Sequence, residues 1–107
     1  MLVTNIDTIP GEEIAEVLGI VKGNTVRAKW FGKDILASIR NIVGGELKEY
    51  TEMLTESREQ AVSRMVHDAE AVGADAIINV RFVTSQISQG ASELLAYGTA
   101  VKLKERK

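Results

Sequence analysis

The sequence predicts a two-layer α+β domain, one antiparallel-rich sheet covered by a long helix. Three observations carry this. Runs rich in β-branched and aliphatic residues lie at both ends of the chain, apolar residues recur at helical spacing over 46–72, and glycines punctuate the boundaries. A length of 107 residues with 45% hydrophobic content suffices for one core, so residues 1–107 are expected to form a single domain.

The first strand is expected over Leu2 to Ile6, closed by the Pro10-Gly11 turn signal. Extended structure follows over Ile14 to Val21 and Thr25 to Lys29, and Lys22-Gly23-Asn24 between them suits either a hairpin turn or a bulge. The period then changes. Phe31, Ile35, Ile39 and Ile42/Val43 recur at helical spacing, which predicts a short amphipathic helix stopped at Gly44-Gly45.

A second helix is expected from Glu46 to Val72, with Leu47, Tyr50, Leu54, Ala61, Met65, Ala69 and Val72 on one stripe. Glu46 and Glu49 complement the dipole of its first turn, and Gly73 suits a left-handed C-cap. Two strands complete the chain, Ala76 to Thr84 and Leu94 to Leu103, joined as a hairpin through Ser85 to Ser92. Alternation places Ile78, Val80 and Phe82 on one face of the first of these strands. On the last strand Leu95, Tyr97, Thr99, Val101 and Leu103 share a face, and the opposite row, Ala96, Gly98 and Ala100, has almost no bulk. A helix or another backbone is expected to lie flat on that row.

Composition excludes several function classes. With no cysteine there are no disulfides, thiolate nucleophiles or sulfur-based zinc sites, and a single histidine rules out His-rich cages. A net charge of -2 gives no electrostatic reason to expect nucleic acid or an anionic membrane as partner. The N-terminal residues lack a basic segment and a long apolar stretch, so no secretion signal is read there and a cytoplasmic location is expected.

Two features point to assembly. A helix over 46–72 would run about 40 Å, whereas a compact globule of this length is only about 33 Å across. Lys22 to Val43 carries Lys22, Arg27, Lys29, Lys33 and Arg40 against Asp34, while Glu46 to Asp75 holds eight acids against Lys48, Arg58 and Arg64. These are either solvated faces or complementary surfaces that meet head to tail between subunits.

Few constellations carry chemistry. His67 and Glu70 stand three residues apart on the long helix, a spacing suited to two ligands of a metal site or to an ordinary exposed helix face. Glu12, Glu13 and Glu16 cluster without a partner for acid/base work, and Gly44-Gly45 before a helix lacks the lysine and hydroxyl of a phosphate loop. Ser57 and Ser63 have no base in sequence reach, so no catalytic residue is assigned. Trp30-Phe31, flanked by Lys29 and Lys33, suits core packing, a subunit interface or a stacking platform for a ligand.

Taken together, Gly19 to Val26, Ile39-Arg-Asn-Ile-Val-Gly-Gly-Glu46 with Tyr50, Val72 to Phe82, and Tyr97-Gly-Thr-Ala-Val101 resemble the YbjQ-like family of functionally uncharacterised bacterial and archaeal proteins. The resemblance spans essentially the whole chain. It implies a dodecin-like β-α-β-β subunit with extra short elements, assembled as a ring-shaped homopentamer. The family also carries a heavy-metal-binding label. This chain has no cysteine, and His67 lies outside the matching segments, so no metal site or cofactor is assigned. Within those segments Arg40 and Asn41 are the polar residues that packing explains least, and with Trp30 they are the candidate ligand-binding residues. The reading that results is a ring-forming binding or scaffold protein without catalysis, whose partner is itself and whose ligand, a small molecule or metal ion, is unidentified. The alternatives are metal sequestration and an enzyme using carboxylates and Arg40 across a subunit interface.

Overall fold

A computed structural model describes residues 1–28, 42–43 and 46–105. Along these residues run the strands β1 (Leu2–Val3), β2 (Ile14–Ala28), β3 (Ile42–Val43) and β4 (Glu46–Leu47), the helix α1 (Lys48–Ala71), and the strands β5 (Ala76–Ser88) and β6 (Ala91–Leu103). Four strands form one sheet in the order β1-β5-β6-β2, with β1 parallel to β5 and the other pairings antiparallel. The helix covers one face of it, so the expected two-layer α+β architecture is the observed one.

β2 departs from expectation. Residues 22–24 form neither a hairpin turn nor a bulge, because the strand runs straight through them with Lys22 opposite Tyr97, Gly23 opposite Ala96 and Asn24 opposite Leu95. The irregularities lie earlier, between Ile14 and Glu16 and between Val17 and Gly19, and Gly19 adopts φ +111°, a conformation that side chains disfavour. Gly23 serves packing instead. A Cβ there would overlap the carbonyl oxygen of Ala61 and the backbone nitrogen of Met65, so the helix backbone rests directly on the strand.

The short helix expected from Phe31 falls mostly outside the described residues. Its last two positions, Ile42 and Val43, pair as β3 with Leu47 and Glu46 of β4. The long helix consequently starts two residues later than expected, at Lys48, and Glu46 belongs to a strand. Its 24 residues span about 36 Å.

The buried stripe of α1 is Ser57, Ala61, Met65 and Ala69, whereas Leu54 and Val72, which the periodicity placed there, are exposed. Small side chains at Ala61 and Ala69 let the helix approach the sheet closely, and Met65 fills the remaining gap beside Val21, Ala96 and Ala100. Thr25 Oγ1 donates to the carbonyl of Ser57, and Arg27 Nε donates to Ser57 Oγ at 3.1 Å, which satisfies the one polar residue of the stripe. The helix ends as the sequence predicts. Gly73, at φ +77°, donates its N–H to Glu70 O while Ala74 N–H reaches Ala69 O, a Schellman motif.

α1 also seals part of an edge. The N–H of Lys22 donates to Asp68 Oδ2 at 3.1 Å and the carbonyl of Asn24 accepts from Arg64 Nη1 at 2.6 Å. Both backbone groups point away from β6, so these side chains occupy hydrogen-bonding positions that an edge strand would offer to another chain.

The last two strands are longer than expected, reaching Ser88 and starting at Ala91, so Gln89-Gly90 alone links them. Ala96, Gly98 and Ala100 do face the helix layer, as the low bulk of that row predicts. The expectation that Ile78, Val80 and Phe82 share a face fails. Between Ile78 and Arg81 the ladder shifts register, and Asn79 takes φ +54°. The bulge sends Val80 to the helix side, leaves Ile78 on the other, and leaves Phe82 half exposed. Gly98 lies opposite the bulge and makes room for it, since a Cβ there would meet Ile77 Cγ2 at 2.7 Å and Ile78 O at 2.9 Å.

Candidate functional site

Trp30, Arg40 and Asn41, the candidate ligand-binding residues of the sequence, lie outside the described residues, as do Phe31 and Gly44-Gly45. His67 and Glu70 are exposed on α1, next to Asp68, which is engaged by the Lys22 N–H. Among the described residues no three metal-ligating side chains converge. Glu13 pairs with Lys104 at 3.4 Å on the surface, and Ser57 is buried as a hydrogen-bond partner of Arg27. Arg27, one of the basic residues considered for contacts between subunits, is thus bound within its own chain, with Gln60 Oε1 as a second acceptor.

Two other features stand out. The first is the sheet face opposite the helix. Ile9, Ala76, Ile78 and Val101 form a small covered cluster at one end. Beyond it, cross-strand register places Ile20, Val26, Leu95, Tyr97 and Val83 on the same face. Ile20 is 77% exposed and Val26 55%, both on the edge strand β2, with the exposed Lys22 and Asn24 between them.

The second is a cavity of about 560 Å³ where β1 leaves β5. Beyond Val3 the N-terminal segment stays tied to the bulge, through Val80 N–H to Thr4 O and Asn79 N–H to Ile6 O, and the gap opens alongside. Val3, Val62, Val80 and Phe82 give it apolar walls, and Thr4, Asn5 and Arg81 give it polar ones. Arg81 is held in place: its Nη1 donates to Asn5 O at 2.8 Å and to Val80 O at 2.9 Å.

The fold and these surfaces can be set against known proteins. A family model described as "Putative heavy-metal-binding", the YbjQ family, matches residues 1–104. The chain belongs to the YbjQ family. Its YbjQ relatives include a UPF0145 protein of Archaeoglobus fulgidus, 60% identical over 104 residues that cover 97% of this chain and 96% of the relative. A UPF0145 protein of Methanosarcina acetivorans is 56% identical over 106 residues, covering 99% of this chain and all of that one. A solved structure, a protein of unknown function of the DUF74 family from Pediococcus pentosaceus, superposes with a TM-score of 0.65 at 16% identity, covering 97% of this chain and 98% of that one. That likeness speaks for the fold alone. The names of these relatives state no enzymatic activity.

Sequence reading of this YbjQ chain missed the cavity because its walls come from β1, α1 and β5, far apart along the chain. One local signal existed. Arg81, with Asn79, interrupts an otherwise apolar stretch, Ala76 to Val83, at a position that simple alternation would treat as a solvent-facing strand residue.

Proposed function

We propose that this chain is a ring-forming homo-oligomeric binding or scaffold protein of the cytoplasm, a homopentamer with no catalytic step of its own. The observation that carries this is the uncovered sheet face of β2, β6 and β5, where Ile20 and Val26 stand exposed, with Lys22 and Asn24 between them along β2, on the same face as Leu95 and Tyr97. Shape supports it. The described residues extend over 60 × 28 × 16 Å with a radius of gyration of 17.6 Å, against about 13 Å for a compact monomer of this length. A subunit so thin leaves much of its apolar surface to be covered by neighbours. Among the described residues no helix is long and apolar enough to cross a membrane. Light scattering coupled to size exclusion at micromolar concentration is expected to give about five times the 11.7 kDa subunit mass. A mass of one subunit would overturn the reading.

The family description favours a second reading, metal binding. His67 and Glu70 are exposed one helical turn apart, so a complete site would draw its remaining ligands from a neighbouring subunit. Elemental analysis of protein purified without an affinity tag tests this. Stoichiometric zinc, nickel or copper that disappears in His67→Ala supports the reading. Metal-free protein with no thermal shift on adding these ions sinks it.

A further inference from the structure

We propose that the cavity between β1 and β5 binds a small carboxylate with an apolar body, its carboxylate seated on Arg81. The argument starts from the donors of the guanidinium. Arginine has five N–H groups, and both of those on Nη1 are committed to the carbonyls of Asn5 and Val80. This fixes the plane of the side chain and leaves Nε and Nη2 as a parallel pair. That edge matches the two oxygens of a carboxylate side-on. Among the described residues Arg81 forms no ion pair and no acidic residue lines the cavity. A positioned cation in an exposed pocket without a counter-charge is a recognition element for an anion.

The remaining walls select the rest of the ligand. Val3, Val62 and Val80 are apolar, and Phe82, 49% exposed, adds an aromatic residue to the lining. The volume of about 560 Å³ falls in the range of small-molecule sites, which are mostly apolar with a few orienting polar groups. An inorganic anion would meet Arg81 but leave these walls wet. A neutral apolar molecule would fill the walls but leave the arginine unpaired. A carboxylate on a short aliphatic or aromatic body satisfies both. The backbone is built around the same point, since the positive φ of Asn79 creates the bulge that sends Val80 into the helix-side core while Arg81, paired with Tyr97, leaves from the other face and turns back to the carbonyl of Asn5.

The cavity lies within one subunit, so this site extends the binding reading without depending on the ring. Calorimetry with octanoate, 1-octanol and inorganic phosphate tests it. Octanoate is expected to bind once per subunit, with 1-octanol and phosphate each weaker by about tenfold or more. Arg81→Gln should reduce octanoate affinity by about tenfold and remove the preference over octanol. Because Arg81 also ties down Asn5, a second variant is needed. Val62→Trp crowds the apolar wall of the cavity, keeps the arginine, and should weaken octanoate binding by about tenfold or more while the far-ultraviolet spectrum stays that of the parent. Equal binding of octanoate and octanol, an Arg81→Gln protein that binds as the parent does, or no binding of octanoate would each overturn the proposal. Subunit mass measured on the same samples keeps the two readings apart: octanoate binding by a monomer would sink the ring and leave this site standing.

Discussion

Gly23→Ala is expected to destabilise the protein by about 3 kcal/mol or more, the upper end of overpacking costs. The reason is what a Cβ would strike. It would overlap the carbonyl oxygen of Ala61 and the backbone nitrogen of Met65 and lie 2.8 Å from Arg64 Cβ. Backbone atoms cannot rotate away as a side-chain tip can, so α1 must lift off β2. Lifting it costs the contacts of Ala61, Met65 and Ala69 with the sheet and weakens the Arg64 and Asp68 hydrogen bonds to the strand edge. Thermal unfolding followed by circular dichroism at fixed protein concentration should show the midpoint falling by about 15 °C. Gly19→Ala is the matched control, since a Cβ there has nothing within 4 Å and only φ +111° opposes it. Its cost should be about 1–2 kcal/mol. A Gly23→Ala midpoint within a few degrees of the parent would refute the direct seating of the helix on the strand.

The same glycine shows where sequence reading stops. Gly23 between Lys22 and Asn24 looks like a turn because Gly and Asn are turn residues, and nothing local distinguishes a turn from a helix resting overhead. Gly73 was legible because its role is local, a left-handed residue following the last helical turn. The bare row Ala96, Gly98 and Ala100 was also legible, since low bulk at alternate strand positions has few explanations other than close approach. Alternation failed between Ile78 and Val80 because a bulge at Asn79 resets the period, and asparagine advertises a positive φ only weakly. Ser57 escaped the predicted stripe for a related reason. A buried serine is tolerable only because Arg27, thirty positions earlier, supplies its donor. Arg81 illustrates the limit for the candidate site, because its meaning depends on Asn5 and Val62, which the fold alone brings near.

Ile20→Lys is expected to convert the assembly to subunits of 11.7 kDa without unfolding them. Within one chain Ile20 is 77% exposed, so a lysine there loses almost no packing and places its ammonium in water. The consequence differs if the face is an interface. Burying an isoleucine contributes about 1.5–3 kcal/mol, and an unpaired ammonium in its place adds a desolvation penalty of several more. In a ring each subunit presents this face once, so every junction carries the defect and no register of closure avoids it. The neighbourhood offers no rescue on its own side. Thr99 stands opposite Ile20 on β6, and Glu93, the acid of that strand, is already engaged by Asn24 Nδ2 at 3.2 Å. The diagnostic pair of readings is a light-scattering mass that falls while the far-ultraviolet spectrum stays that of the parent. Should the mass stay unchanged in Ile20→Lys and in the double variant with Val26→Lys, the exposed sheet face is not where copies meet. The elongated shape of the subunit would then need another account.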